Sequence, residues 1–202
     1  MVALSSGKDK KKKTPQKEES ATTTTTEESS TKKQAPKGDP IEEKLLADKD
    51  LIKASLKSSS GLARGLKYNY YEGNYGKLAD MLKTKPKSKG DYKTFSLDIK
   101  KKNSQFGFTY EGYINIPKTR EYTFRLISDD GSRLTIAGKV IIDHDGHHGI
   151  EPKEGKAKLE KGLHKFRLDY FQHGKSFALD LKASASDKEM ETIRYTWFWF
   201  KK

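Results

Sequence analysis

From Gly61 onward, apolar and polar residues alternate with a period of two, and no helix can present such a pattern as a single face. The alternation returns in LKYNYY (66–71), FSLDI (95–99), FGFTYEGYINI (106–116), EYTFRLIS (121–128), RLTIAG (133–138) and KVIID (139–143). It continues through KAKLE (156–160), LHKFRLDYF (163–171), SFALDLKA (176–183) and TIRYTWFWF (192–200). Tyr122, Phe124 and Leu126 alternate with Thr123, Arg125 and Ile127, and Phe166, Leu168 and Tyr170 alternate with Lys165, Arg167 and Asp169. Short alternating segments with Gly and Asp between them read as strands of an antiparallel sheet that buries one side. The predicted fold class is therefore all-β, an antiparallel, jelly-roll-like β-sandwich over residues 61–202.

The first 60 residues follow other rules. Residues 1–38 have no aromatic residue and no hydrophobic period, which predicts a disordered Lys/Thr-rich tail or linker. Its KDKKKK run reads as a solubilising segment, with a nuclear address or an anion hook as alternatives. Asp39-Pro40-Ile41-Glu42 then has the chemistry of a helix start: a capping carboxylate, proline at the first helical position and a reciprocal capping acid. Ile41, Leu45, Ile52 and Leu56 fall on one face, predicting an amphipathic helix within 39–60 that ends at SSSG and needs a partner surface. The start MVALSSGKDKKKK places its charges after a brief apolar stretch, the reverse of a secretory signal. No apolar run approaches the roughly 18 residues of a membrane span.

Composition excludes some chemistry. Without cysteine there is no disulfide, thiolate zinc site or cysteine nucleophile. The chain carries a formal charge of +13, of which residues 61–202 hold +10, so the folded part itself favours anionic partners. Lys83, Lys85, Lys87, Lys89, Lys93, Lys100, Lys101 and Lys102 stand against Asp91 and Asp98 in the stretch 83–102. Tyr92 and Phe95 are the only aromatics among these lysines, which suits a solvated loop, or attraction of phosphate or sulfate on a nucleic acid or acidic glycan, more than base reading. No GxSxG elbow, phosphate-cradling glycine loop or HExxH occurs, and the chain is expected not to be an enzyme.

Three segments carry candidate site residues. Ser128-Asp129-Asp130-Gly131-Ser132 joins two alternating segments, and Asp130-Gly131 is strong hairpin chemistry, so one reading is a turn from 122–127 back into 133–137. DHDGHHG (143–149) offers His144, Asp145, His147 and His148, all competent transition-metal ligands. Adjacent His147 and His148 point to opposite sides if extended, and we read the segment as a ligand-contacting loop that changes charge near pH 6–7. TWFWF (196–200) reads as a closing strand buried on one side and covered by the 41–57 helix on the other, or, if exposed, as a sugar-stacking platform or an interface.

YYEG (70–73), FTYEGYINIP (108–117), YTFRLISDDGSRLTIAGKVIID (122–143), LEKGLHKFRLDYF (159–171) and FALDL (177–181) follow one another in order and spacing. Together they resemble the protective-antigen fourteen-kilodalton domain family, a β-sandwich module of toxins, glycosidases and fungal adhesins. The resemblance implies a non-catalytic module, outside the cell or at its surface, that binds carbohydrate. In its adhesin branch two adjacent aspartates chelate calcium, which holds sugar hydroxyls; here these would be Asp129 and Asp130. Calcium takes six to eight oxygens, so a second loop must contribute, and the resemblance places it at Gln172–Ser176. Gln172 offers an amide oxygen there, while His173 and Lys175 favour contact with the ligand. The expected rim therefore gathers Ser128, Asp129, Asp130, His144, Asp145, His147, His148, Gln172, His173 and Lys175 around a glycan, with an acidic one suiting the charge.

Overall fold

The computed structural model describes residues 38–186 and 188–202. The expectations for the tail and its KDKKKK run lie outside the described residues. Twelve strands and two short helices are described: α1 (Pro40–Leu46), β1 (Leu62–Arg64), β2 (Leu66–Glu72), α2 (Leu78–Leu82), β3 (Ser88–Tyr92), β4 (Phe106–Ile116) and β5 (Arg120–Asp129). They continue with β6 (Ser132–Ile136), β7 (Lys139–His144), β8 (Glu151–Leu159), β9 (Gly162–Gln172), β10 (Ala178–Ala185), β11 (Glu191–Thr192) and β12 (Phe198–Lys201).

The strands form two antiparallel sheets, one of eight strands and one of four. The larger runs β1-β12-β4-β9-β6-β7; β2 shares with β12 one edge of β4, and β3 pairs with β2. The smaller runs β11-β10-β5-β8. β4 and β9 pair along their whole length, from Phe106↔Gln172 to Ile116↔Gly162. Alternation decides which residues enter the core. Phe106, Phe108, Tyr110, Ile114, Phe166, Leu168 and Tyr170 from the larger sheet meet Tyr122, Phe124, Leu126, Leu159 and Leu181 from the smaller. Each such burial contributes roughly 1.5–3 kcal/mol before entropy is counted. The polar partners on the outer face of the larger sheet pair in rows: Arg167 with Glu111 and Asp169, and Arg133 with Asp143.

A second, small cluster lies outside this core. Phe171 points away from it on β9, and Tyr71, Tyr75, Leu78 and Met81 cover it. α2 thus sits on the outer face of β9 at the end where Gln172 lies, within a stretch whose sequence shows no alternation.

Four expectations change. The first concerns the acid pair: β5 belongs to the smaller sheet and β6 to the larger, so Asp129–Gly131 carries the chain from one sheet to the other and is not a hairpin turn. The pairing explains why, since β5 is flanked by β8 and β10 and leaves no edge for β6. Second, α1 ends at Leu46, and Ile52 and Leu56 form isolated bridges with Leu159 and Leu163 as extended chain. Asp39 caps α1 through the Ile41 N–H as expected, but Glu42 accepts from the Thr119 hydroxyl at 2.8 Å and makes no capping box. The buried Arg120 guanidinium ion-pairs with Asp39 and ties the helix start to β5. Third, residues 97–99 form a 3₁₀ turn, and β3 runs through the lysine-rich stretch. Fourth, TWFWF is split by a 3₁₀ turn at 195–197, and the outer face of Trp199 is covered by the Arg64 guanidinium, 3.6 Å from the ring centroid, in place of a helix. No described helix is long and apolar enough to cross a membrane.

Candidate functional site

The crossing between the sheets is built from buried polar groups. At its base the Ser128 and Ser132 hydroxyls lie 2.7 Å apart, and both residues are fully buried. The Asp129-Asp130 peptide bond is cis. Gly131 is the closest packed point: its carbonyl accepts from the Phe171 N–H at 2.9 Å, and a Cβ there would stand 2.3 Å from Phe171 Cε1. The glycine is needed for close approach to a ring; it has no positive φ, contrary to the hairpin expectation.

Three chain segments converge on Asp130. Its carboxylate accepts the His148 backbone N–H at 3.2 Å and the His173 backbone N–H at 2.8 Å. Asp129 lies on the β9 side: its carbonyl accepts from the Tyr170 hydroxyl at 2.5 Å, and Oδ1 accepts from Gln172 Nε2 at 3.4 Å. The Tyr170 hydroxyl also lies 2.8 Å from Gln172 Oε1, so it orients the amide that faces Asp129. Both acids are nearly buried, 7% and 6% exposed. Burial pushes the Asp129 carboxyl above the usual carboxylate range, and the neighbouring Asp130 charge adds to that, against the hydrogen bond from Gln172. No lysine or arginine ion pair to either acid occurs among the described residues. Two nearly buried carboxylates side by side, with no lysine or arginine paired to them among the described residues, fit a hard divalent ion. Calcium in particular suits them, because it accepts carboxylate, amide and carbonyl oxygens together.

The histidine loop divides. His147 turns its Nε2 to the Tyr75 carbonyl at 2.9 Å and stacks on His173 at 4.4 Å between centroids. His148 faces the other way and stacks on His144 at 3.8 Å. Asp145 is a structural tie: Oδ1 accepts from the Leu78 N–H at 2.8 Å, anchoring α2, and from the Gly146 N–H at 2.9 Å. Burial, with His148 and Lys153 nearby, holds the His144 imidazole below its ordinary range and therefore neutral near pH 7. His173 Nδ1 lies 2.6 Å from Asn74 Oδ1, and Lys175 is exposed in the following loop.

Of the sequence-predicted residues, Asp129, Asp130, His147, His148 and His173 meet in one place. Lys175 lies on the open side of the loop after β9. Ser128 and Gln172 belong to the same place, but they are fully buried and brace it from below. Gln172, expected at a loop edge, closes β9. Sequence reasoning missed Tyr170 and Phe171 as supports, because both read only as core of an alternating strand. It also missed Asn74 and Tyr75, whose signal was the unassigned NYG after YYEG.

A family model described as the PA14 domain matches residues 62–197. The chain is 28% identical over 94 residues to the anti-sigma-I factor RsgI3 of Acetivibrio thermocellus, covering 46% of this chain and 15% of that protein. The solved anti-sigma factor domain-containing protein from Clostridium clariflavum is 27% identical with a TM-score of 0.55, covering 64% of this chain and 45% of that one. A PA14 sugar-binding domain from an RTX adhesin is 18% identical with a TM-score of 0.56, covering 68% of this chain and 99% of that one. The chain thus spans a minor part of the two anti-sigma proteins and nearly all of the adhesin domain.

Proposed function

The chain belongs to the PA14 domain family, and from that premise we propose that it is a non-catalytic carbohydrate-binding module acting outside the cell or at its surface. The glycan docks at the rim made by residues 128–132, 144–149 and 172–176. The observation that carries this reading is the geometry of Asp130, whose carboxylate is held by backbone N–H groups from two separate loops. A side chain so held is presented in one orientation beside Asp129, which is what recognition through a shared ion requires.

Asp129 and Asp130 would hold calcium, with oxygen from the Gln172 amide after rotation and from loop carbonyls. Bound calcium would supply open coordination positions for vicinal sugar hydroxyls. The protein's own groups do the rest: the N–H donors of His148 and His173 fix Asp130, and Tyr170 fixes the Asp129 carbonyl. His147, His173 and Lys175 line the open side, where a sugar carboxylate or sulfate would find the positive charge of Lys175. Supporting the sugar reading, the adhesin domain with the same fold is described as sugar-binding.

A glycan array run with calcium and then with chelator tests the reading. Retention in calcium alone, lost in the double variant Asp129→Asn plus Asp130→Asn, is the expected outcome. Retention that ignores both calcium and the double variant would sink it. A second reading, polyanion attraction, rests on the exposure of Lys83, Lys85, Lys87, Lys89 and Lys93 along and beside β3. It predicts heparin binding that falls steeply with salt and is indifferent to chelator.

A further inference from the structure

The loop 143–149 holds more than the rim uses. Asp145 is consumed by α2 and Gly146, and His147 by Tyr75 and His173. His144 and His148 remain, stacked on each other, and a residue outside the motif joins them: Glu151, the first residue of β8. One ligand atom from each of the three lies within 4.8 Å of the others.

Two further observations point to a cation. His144 Nε2 is buried and has no hydrogen-bond partner among the described residues, a costly state for an imidazole nitrogen. His148 faces carbonyl oxygens with both ring nitrogens, Nδ1 to Gly149 at 2.8 Å and Nε2 to His144 at 3.2 Å. A neutral imidazole has one N–H and can donate to only one of these carbonyls, which leaves the lone pair of its other ring nitrogen for a cation. Ligand atoms around a tetrahedral ion at about 2.0–2.1 Å stand roughly 3.3 Å apart, so the three side chains would draw together on binding, the exposed Glu151 being the freest to move.

We propose that His144, His148 and Glu151 form a site for a borderline transition-metal ion of the zinc class, separate from the aspartate pair. Two imidazoles and one carboxylate match zinc, copper or nickel and are a poor set for calcium. The placement gives the site a role. His144 ends β7 in the larger sheet, and Glu151 opens β8 in the smaller, where it pairs with Ser128. The ion would clasp the two sheets at the rim and brace the loop whose His148 N–H holds Asp130.

Zinc titration of the wild-type protein tests this by calorimetry and by imidazole 15N resonances. The expected result is one equivalent bound, with resonances of His144 and His148 moving and those of His147, His164 and His173 holding. Affinity should fall about tenfold or more in Glu151→Gln and in His148→Gln, and should persist in Asp129→Asn plus Asp130→Asn. No zinc binding, movement confined to His147 and His173, or loss in the aspartate variant alone would overturn the proposal. The resonance measurement needs no variant, so a misfolded substitution does not spare it.

Discussion

Asp129 is held at a disadvantage by its surroundings, buried and beside a second carboxylate, and that has measurable consequences. Replacing it with asparagine removes one of two like charges, so Asp129→Asn should raise the melting temperature in chelator while abolishing any rise on adding calcium. Gly131 faces the opposite constraint, since any Cβ meets the Phe171 ring. Gly131→Ala should cost about 1–3 kcal/mol in denaturant unfolding through overpacking. An unchanged midpoint would mean that the ring moves aside freely. His164 sits at the other end of β9, fully buried, with Nε2 2.7 Å from the Glu160 carbonyl and Nδ1 without a partner among the described residues. Burial holds its pKa below the ordinary 6.5. In the window from 6.5 down to that depressed value the unfolded chain binds more protons, so stability falls as pH falls. Melting temperature should drop on acidification below 6.5, and His164→Gln should flatten that slope.

Among elements, β9 joins the two halves of the molecule's chemistry. Its inward residues Phe166, Leu168 and Tyr170 fill the main core, and its outward Phe171 anchors the cluster under α2. Phe171→Ala should cost about 3–5 kcal/mol. It should also weaken glycan and calcium binding, because Phe171 underlies Gly131 and packs edge-on against His147 at 5.9 Å. Stability loss with ligand affinity intact would separate the cluster from the rim. The alternating strands were legible because period two survives in sequence wherever one face is buried; β4 occupies the expected span, 106–116. α1 was legible at its start, through Asp39 and Pro40, and not at its end. Ile52 and Leu56 have helical spacing with Ile41, yet strand β8 and the start of β9 offer them backbone partners, and tertiary pairing overrides a seven-residue helix.

At the scale of the whole molecule, the sandwich is asymmetric. β4 and β9 lie inside the eight-stranded sheet with partners on both edges, while β3 and β11 are edge strands. Amide exchange should therefore be slowest in β4 and β9 and fastest in β3, β11 and the loop after β9. Zinc or calcium should add protection at 144–151 and 172–176 and leave β3 unchanged.

The loop 172–176 entered the expected rim only through the family resemblance, whereas alternation and the placement of glycines and acids sufficed to determine the all-β class and most strand positions. They act locally, through side-chain direction and backbone preference, and so are written along the chain. Which strands share a sheet was decided only in three dimensions. Asp130-Gly131 has the local chemistry of a hairpin, but β8 and β10 occupy both edges of β5, so the chain must cross to the other sheet. That crossing brings His148, His173 and Tyr170 to the acid pair and Glu151 to the histidines. No spacing encodes these meetings, because contacts between residues tens of positions apart depend on how the sheets pack.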